Sequence, residues 1–214
     1  MPYQKPYKKD WLIIAHGEPV EKKQLLTLAE NKSIMVLDGA FTSALLEDIQ
    51  PDIVLGDFDS IHAKTDSILF IHTPNPDATD LEKGLHHLMQ YEVDSISITN
   101  ATGWRLDHTL YNLRLLKRFH TAFKSMVLWT LLEKIFYIEN QTLTLHAEKP
   151  EPFALLSFPE AVVSSTGLQH NMKDLTLKMG QQESVSNTIV SETAQIEVKG
   201  GALLLLSHQT YLAI

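Results

Sequence analysis

From Trp11 to Trp129, short apolar runs alternate with longer stretches whose apolar residues recur every three to four positions. This is the pattern of βα units around a mostly parallel sheet. It predicts strands over Trp11 to Ala15, Ser33 to Leu37, Asp52 to Leu55, Ser67 to Ile71, Ser95 to Thr99 and Met126 to Trp129. Between them, Glu21 to Asn31, Ala40 to Asp48, Asp80 to Tyr91 and Asp107 to Phe119 read as helices. In the last, Leu110, Leu113 and Leu116 form one apolar stripe, with Arg114, Lys117 and Arg118 turned mostly to water. After Leu131 the period changes. Runs such as Thr142 to Leu145, Ala154 to Phe158, Leu175 to Lys178, Gln195 to Val198 and Ala202 to Leu206 alternate apolar and polar positions. Their turn signals come every ~8–12 residues, as in a small antiparallel sandwich. The expectation is an α/β protein in which residues 1–130 form a mostly parallel, Rossmann-like domain and residues 131–214 a small antiparallel β-sandwich, divided near Thr130 to Glu133.

Composition narrows the chemistry. With 44% hydrophobic and 21% charged residues, the 214-residue chain can bury a substantial core. The basic start, Met1 to Asp10, is followed by no apolar segment with a cleavage site, and no apolar run reaches membrane-spanning length. A soluble, cytoplasmic protein is expected, with no membrane partner. The chain has no cysteine, so a metal would be held by oxygen or imidazole, which favours hard cations. A net charge of −8 works against broad binding to nucleic acid. The ten histidines include no pair at zincin spacing. The Gly-x-x-x-x-Gly-Lys-Ser/Thr phosphate loop and the Gly-x-Gly-x-x-Gly dinucleotide turn are both missing from the sequence.

Acids gather where strands end. Gly56-Asp57-Phe58-Asp59-Ser60 directly follows a predicted strand, where open α/β sheets collect ligands. In extended backbone Asp57 and Asp59 point the same way. Two carboxylates ~4 Å apart repel by ~4 kcal/mol at an effective dielectric of ~20, so such a pair calls for a cation, and magnesium suits carboxylates, waters and phosphates. The same pentapeptide is also readable as a turn whose Asp59 or Ser60 caps a helix. A second cluster, Pro76 to Lys83, places Asp80 and Lys83 three apart on one helix face, one fit for a metal and the other for a phosphate oxygen. Read alone, Thr79 to Glu82 is a capping box. The third, Asn100 to His108, is a small-residue turn opening a helix, with Arg105 as a planar cation suited to phosphate. Its plain alternative makes Asp107 an N-cap, or the ion-pair partner of Arg105. Three strand ends of one sheet sharing acids, two of them with a cation, favour a common site.

These residues, in order and spacing, resemble the signature blocks of thiamine pyrophosphokinases: Gly56 to Ile61, Thr73-Pro74 with Asp77 to Asp80 and Lys83, and Thr102-Gly103 with Arg105 to Leu110 and Asn112. The resemblance extends through Asp38-Gly39-Ala40 and Pro51-Asp52 upstream and through Ser164 to Gly167 and Ser184 to Asn187 downstream. It implies an N-terminal α/β domain that binds ATP and Mg2+ and a sandwich domain that binds thiamine. Asp57, Asp59, Asp80 and Asp107 would form the acidic region, with Asp77 a weaker member. Asp57, Asp59, Asp80 and Asp77 are the metal candidates, and Lys83 and Arg105 would neutralise the triphosphate. Asp38, Thr102 and Gly103 would line the substrate site. In this family the enzyme is a homodimer, and Ser184, Ser186 and Asn187 would belong to the thiamine site. The chain departs from the family at Trp104 and Asn100, which stand where glycines are usual, and at Ala40 and Thr42, which replace a glycine and an asparagine. Leu203 to Leu206 is aliphatic where animal members place a tryptophan against thiamine, which leaves Trp104 as a substitute aromatic for the thiazolium. The expected reaction moves a pyrophosphoryl group from ATP to the thiamine hydroxyl. The alternatives are a pyrophosphokinase for another alcohol, such as a hydroxymethylpterin, and a thiamine or nucleotide sensor without turnover.

Overall fold

The N-terminal apolar runs become six parallel strands: β1 (Asp10–Ile14), β2 (Ser33–Leu37), β3 (Ile53–Gly56), β4 (Leu69–His72), β5 (Ser95–Thr99) and β6 (Ser125–Trp129). The computed structural model describes residues 7–58, 67–148 and 150–213. By its internal contacts the chain divides into two units, Met1–Leu131 and Leu132–Ile214.

In the first unit the strands lie in the order β6-β5-β1-β2-β3-β4. Parallel neighbours need crossovers, and among the described residues four α-helices lie between them: α1 (Lys22–Ala29), α2 (Ser43–Leu46), α3 (Asp80–Leu88) and α4 (Leu106–Phe119). Every residue of β2 and β3 is buried, which is why these strands read as unbroken apolar runs rather than alternating ones. Successive side chains serve opposite faces. Leu12, Ile14, Val36 and Val54 join Leu28 of α1, with Leu45 of α2 packed alongside. Met35 and Leu37 point the other way, toward Gly84 of α3, and α4 packs on β6 and α3. Each fully buried aliphatic side chain in these layers contributes about 1.5–3 kcal/mol of transfer free energy.

The apolar stripe of α4 differs from the one expected. Leu116 is buried, but Leu113 is only half-buried and Leu110 is 55% exposed. A spacing of three falls short of the 3.6-residue turn and drifts around the helix. The buried stripe instead follows Asn112, Leu115, Leu116 and Phe119.

The second unit is antiparallel: β7 (Glu133–His146), β8 (Glu151–Thr166), β9 (Leu175–Lys178), β10 (Ser184–Ile189), β11 (Thr193–Ser207) and β12 (Tyr211–Ala213). β11 lies between β7 and β8, while β9 and β10 pair with β8 and β12 pairs with β7. The sequence runs are shorter than the real strands. Ala154 to Phe158 lies inside β8, and Gln195 to Val198 and Ala202 to Leu206 are two halves of β11. Between those halves lies a bulge, where register shifts against both neighbours near Gly200 and Gly201. Residues from both halves, Ala194 and Ile196 as well as Leu204 and Leu206, enter one core with Leu145, Phe153, Leu155 and Val163.

Candidate active site

Along the parallel sheet the strand order reverses between β1 and β5, and open α/β sheets bind ligands in the crevice beyond the strand ends at such a point. The loops that leave the strands there enclose a cleft of about 860 Å³. Its walls come from His16 and Gly17 after β1, Asp38 and Gly39 after β2, Asp57 after β3, Pro74 to Asp80 after β4 and Asn100 to Arg105 after β5, with Lys83 and Asn112 from the following helices.

The first acids stand at the ends of neighbouring strands. Asp38 is buried, and its side chain lies against the end of β3, where a methyl group on Gly56 would stand 2.4 Å from the Asp38 Cβ. Asp57, one residue on, is exposed to the cleft. The strand stops at Gly56 and Phe58 takes a left-handed φ of +62°, so the backbone is not extended past Asp57. The expectation that Asp57 and Asp59 share a strand face therefore loses its basis. Asp59 itself lies outside the described residues, as do Ser60 and Ile61.

At the start of α3 the sequence supplies both cap and charge. The Thr79 hydroxyl accepts from the Glu82 N–H at 3.4 Å, as an N-cap should. The reciprocal half of the expected capping box goes elsewhere: the buried Glu82 carboxylate accepts from the Tyr111 hydroxyl and the Arg118 guanidinium and so ties α3 to α4. Asp80 and Lys83 do share a helix face. The Lys83 ammonium donates to Asp80 Oδ1 and to the Thr73 carbonyl, both at 3.0 Å, with only 12% of its side chain exposed. Asp77 is exposed on the cleft wall, its N–H donating to Asn75 Oδ1 at 2.9 Å.

The loop after β5 is held from two sides. Asn112 of α4 donates to the Ala101 carbonyl at 2.7 Å, and the Glu18 N–H donates to the Thr102 carbonyl at 2.8 Å. Asn100 stands at φ +56°, a conformation asparagine tolerates better than most residues, and its side chain accepts from the Val20 N–H. Thr102, Gly103 and Arg105 line the cleft. Asp107 is not part of its wall: exposed, it accepts two hydrogen bonds from Arg105, at 3.1 and 2.5 Å. That donation, helped by the His108 N–H, holds its carboxyl down to about 2. The ion-pair alternative for Asp107 is thus the arrangement seen. Sequence reasoning took His16 as a surface or core residue, although it stands two residues past β1, where strand-end position alone would have raised it.

In the second unit, Asn187 is buried and its amide is committed to the backbone, accepting from the His170 and Thr188 N–H groups and donating to the His170 carbonyl at 2.9 Å. Ser184 is half-buried beside it, whereas Ser186 is exposed at φ +54°, where the pairing of β10 with β8 changes register.

Among the described residues, no three His, Asp or Glu side chains converge closely enough to hold a metal ion by themselves. The carboxylates of the cleft wall nonetheless suit magnesium, which takes one or two carboxylates together with waters and substrate phosphates. An α/β sheet with acids and cations collected beyond its switch point defines a protein of the phosphate-handling class. Comparison with known proteins is specific. Residues 25–128 match the family model described as thiamin pyrophosphokinase, catalytic domain, and residues 142–203 match thiamin pyrophosphokinase, vitamin B1 binding domain. The chain is 26% identical over 170 residues to thiamin pyrophosphokinase 1 of Caenorhabditis elegans, covering 73% of this chain and 69% of that one. It is 24% identical over 171 residues to thiamine pyrophosphokinase of Bacillus subtilis, covering 74% and 78%. The solved Bacillus subtilis enzyme superposes with a TM-score of 0.81 at 23% identity, over 93% of this chain and 99% of that one. The Candida albicans enzyme gives 0.80 at 20% identity, over 92% and 89%. The chain belongs to the thiamin pyrophosphokinase family.

Proposed function

We propose that this chain is a thiamine pyrophosphokinase that uses ATP and Mg2+, with residues 1–130 as a Rossmann-like catalytic domain and residues 131–214 as a β-sandwich that binds thiamine. The observation that carries the reading is the gathering of Asp38, Asp57, Asp77, Asp80, Lys83 and Arg105 on the walls of one strand-end cleft, in a chain matching both the catalytic and the vitamin B1 binding models of the family. The second match also favours thiamine over a pterin alcohol as acceptor.

In the reaction, the thiamine hydroxyl oxygen attacks the β-phosphorus of ATP in line. The bond from that phosphorus to the α–β bridging oxygen breaks, AMP leaves with the bridging oxygen, and the hydroxyl proton passes to a cleft carboxylate. Lys83 and Arg105 hold the triphosphate and offset the charge that builds on it. Asp57 and Asp80, with Asp77 and Asp59, would hold magnesium, which would supply positive charge against the triphosphate. Asp107 holds Arg105 through their ion pair. Asp38, Thr102 and Gly103 shape the floor and wall, and Ser184 and Ser186 serve the thiamine side on a strand that Asn187 secures through the His170 backbone. The working enzyme is a cytoplasmic homodimer. No helix among the described residues is long and apolar enough to cross a membrane.

The test is direct. Purified protein with ATP, magnesium and thiamine should yield thiamine diphosphate and AMP in equal amounts, and a hydroxymethylpterin in place of thiamine should yield neither product. Tight binding of magnesium–ATP with no AMP formed from either acceptor would instead mark a sensor.

A further inference from the structure

We infer that Trp104 is the stacking platform for the purine of the nucleotide, an assignment that rests on reading the strand-end cleft as the nucleotide site. The backbone makes the first case. Trp104 sits at φ +49°, a region that a residue with a large β-substituent adopts only when something compensates. Core packing is not the compensation, since 69% of the residue is exposed. Yet the ring is not loose. Its centroid stands 5.2 Å from that of His16 with the planes at 85°, an edge-to-face contact. His16 in turn is seated on Gly39, where a methyl group would come within 2.3 Å of the imidazole Nδ1. The loops after β1, β2 and β5 therefore cooperate to hold an exposed indole on the wall of the cleft, next in sequence to Arg105.

An orientated, solvent-facing aromatic ring beside Arg105, a proposed phosphate ligand, fits a flat heteroaromatic partner. The ring that arrives covalently joined to the triphosphate is the purine. Thiamine, by contrast, has its proposed contacts on β10 of the second unit. Stacking on an aromatic face is tolerant of base identity, so this platform would take guanine as well as adenine.

Two variants and one optical measurement decide the matter. Trp104→Gly removes the ring and also relieves the backbone, so its Tm should equal or exceed that of the native protein. Its KM for ATP should rise about tenfold, equivalent to about 1.4 kcal/mol, with KM for thiamine changed by less than about twofold. Trp104→Phe should recover most of the loss. In fluorescence, the signal present in native protein and absent from Trp104→Phe reports this indole. Magnesium–ATP and magnesium–GTP should quench it, and tripolyphosphate should not. A fall in Tm for Trp104→Gly, an unchanged KM for ATP, or quenching by thiamine but not by nucleotide would overturn the assignment. The optical arm needs no turnover, so absence of pyrophosphokinase activity and absence of base stacking are separate results.

Discussion

The two units use polar residues in opposite ways. In the parallel unit, β2 and β3 are buried throughout and carry almost no chemistry, while the loops at their ends carry nearly all of it. In the antiparallel unit the polar residues singled out from the sequence sit within a strand, and one of them, Asn187, is consumed by the fold. A sheet covered on both faces separates scaffold from site, whereas a sheet whose strands alternate inward and outward residues mixes them. Losing a cleft acid should therefore cost activity and spare stability, and losing Asn187 should do the reverse.

The largest effect is expected at Asp57. Asp57→Asn keeps the size and exposure of the side chain but removes a charge at the cleft, and should lower kcat by about 10²–10³-fold with Tm unchanged. Steady-state assays over a range of magnesium concentrations check this; unchanged turnover and metal dependence would remove the central assignment. Next comes Asn187→Ala, which leaves the His170 N–H and carbonyl without their partner and should cost about 2 kcal/mol in urea unfolding. A rise in KM for thiamine with unaltered stability would place Asn187 in the ligand site instead, and the contrast between the units would weaken. The smallest effect is a pH dependence confined to the parallel unit. Burial holds the His87 imidazole below its ordinary value. As pH falls below about 6.5, the unfolded chain takes up a proton that the folded chain resists, so stability falls with pH. A thermal melt series from pH 7.5 to pH 5 should show a shallower decline for His87→Gln than for native protein.

The sequence exposed the first unit well because its signals are local. Strands β2 and β5 begin and end where the apolar runs do, the Thr79 cap holds the start of α3, and the Asp80–Lys83 pair follows from a spacing of three on a helix. What it concealed depends on contacts remote in the chain. Glu82 looked like half of a capping box but is claimed by Tyr111 and Arg118 of α4. Asp57 was paired with Asp59 on the assumption of extended backbone, which the left-handed Phe58 does not provide. In the second unit β11 was read as two short runs, because the bulge near Gly200 and Gly201 interrupts the alternation and only the partner strands show that the strand continues. Trp104 read as a departure from family pattern and as a substitute aromatic for the thiazolium, whereas its exposure and its contact with His16 come from loops distant in the chain.

The double tether of Lys83 has a consequence for how the cleft receives a polyanion. A free lysine gives up about 2 kcal/mol of rotamer freedom when it is immobilised. Here the Asp80 carboxylate and the Thr73 carbonyl have already fixed the side chain, so that cost falls on folding and is absent from the encounter. On the proposed reading an arriving nucleotide would meet a preorganised charge, and freeing the ammonium would give up its bonds to the chain leaving β4 and to the first turn of α3 at once.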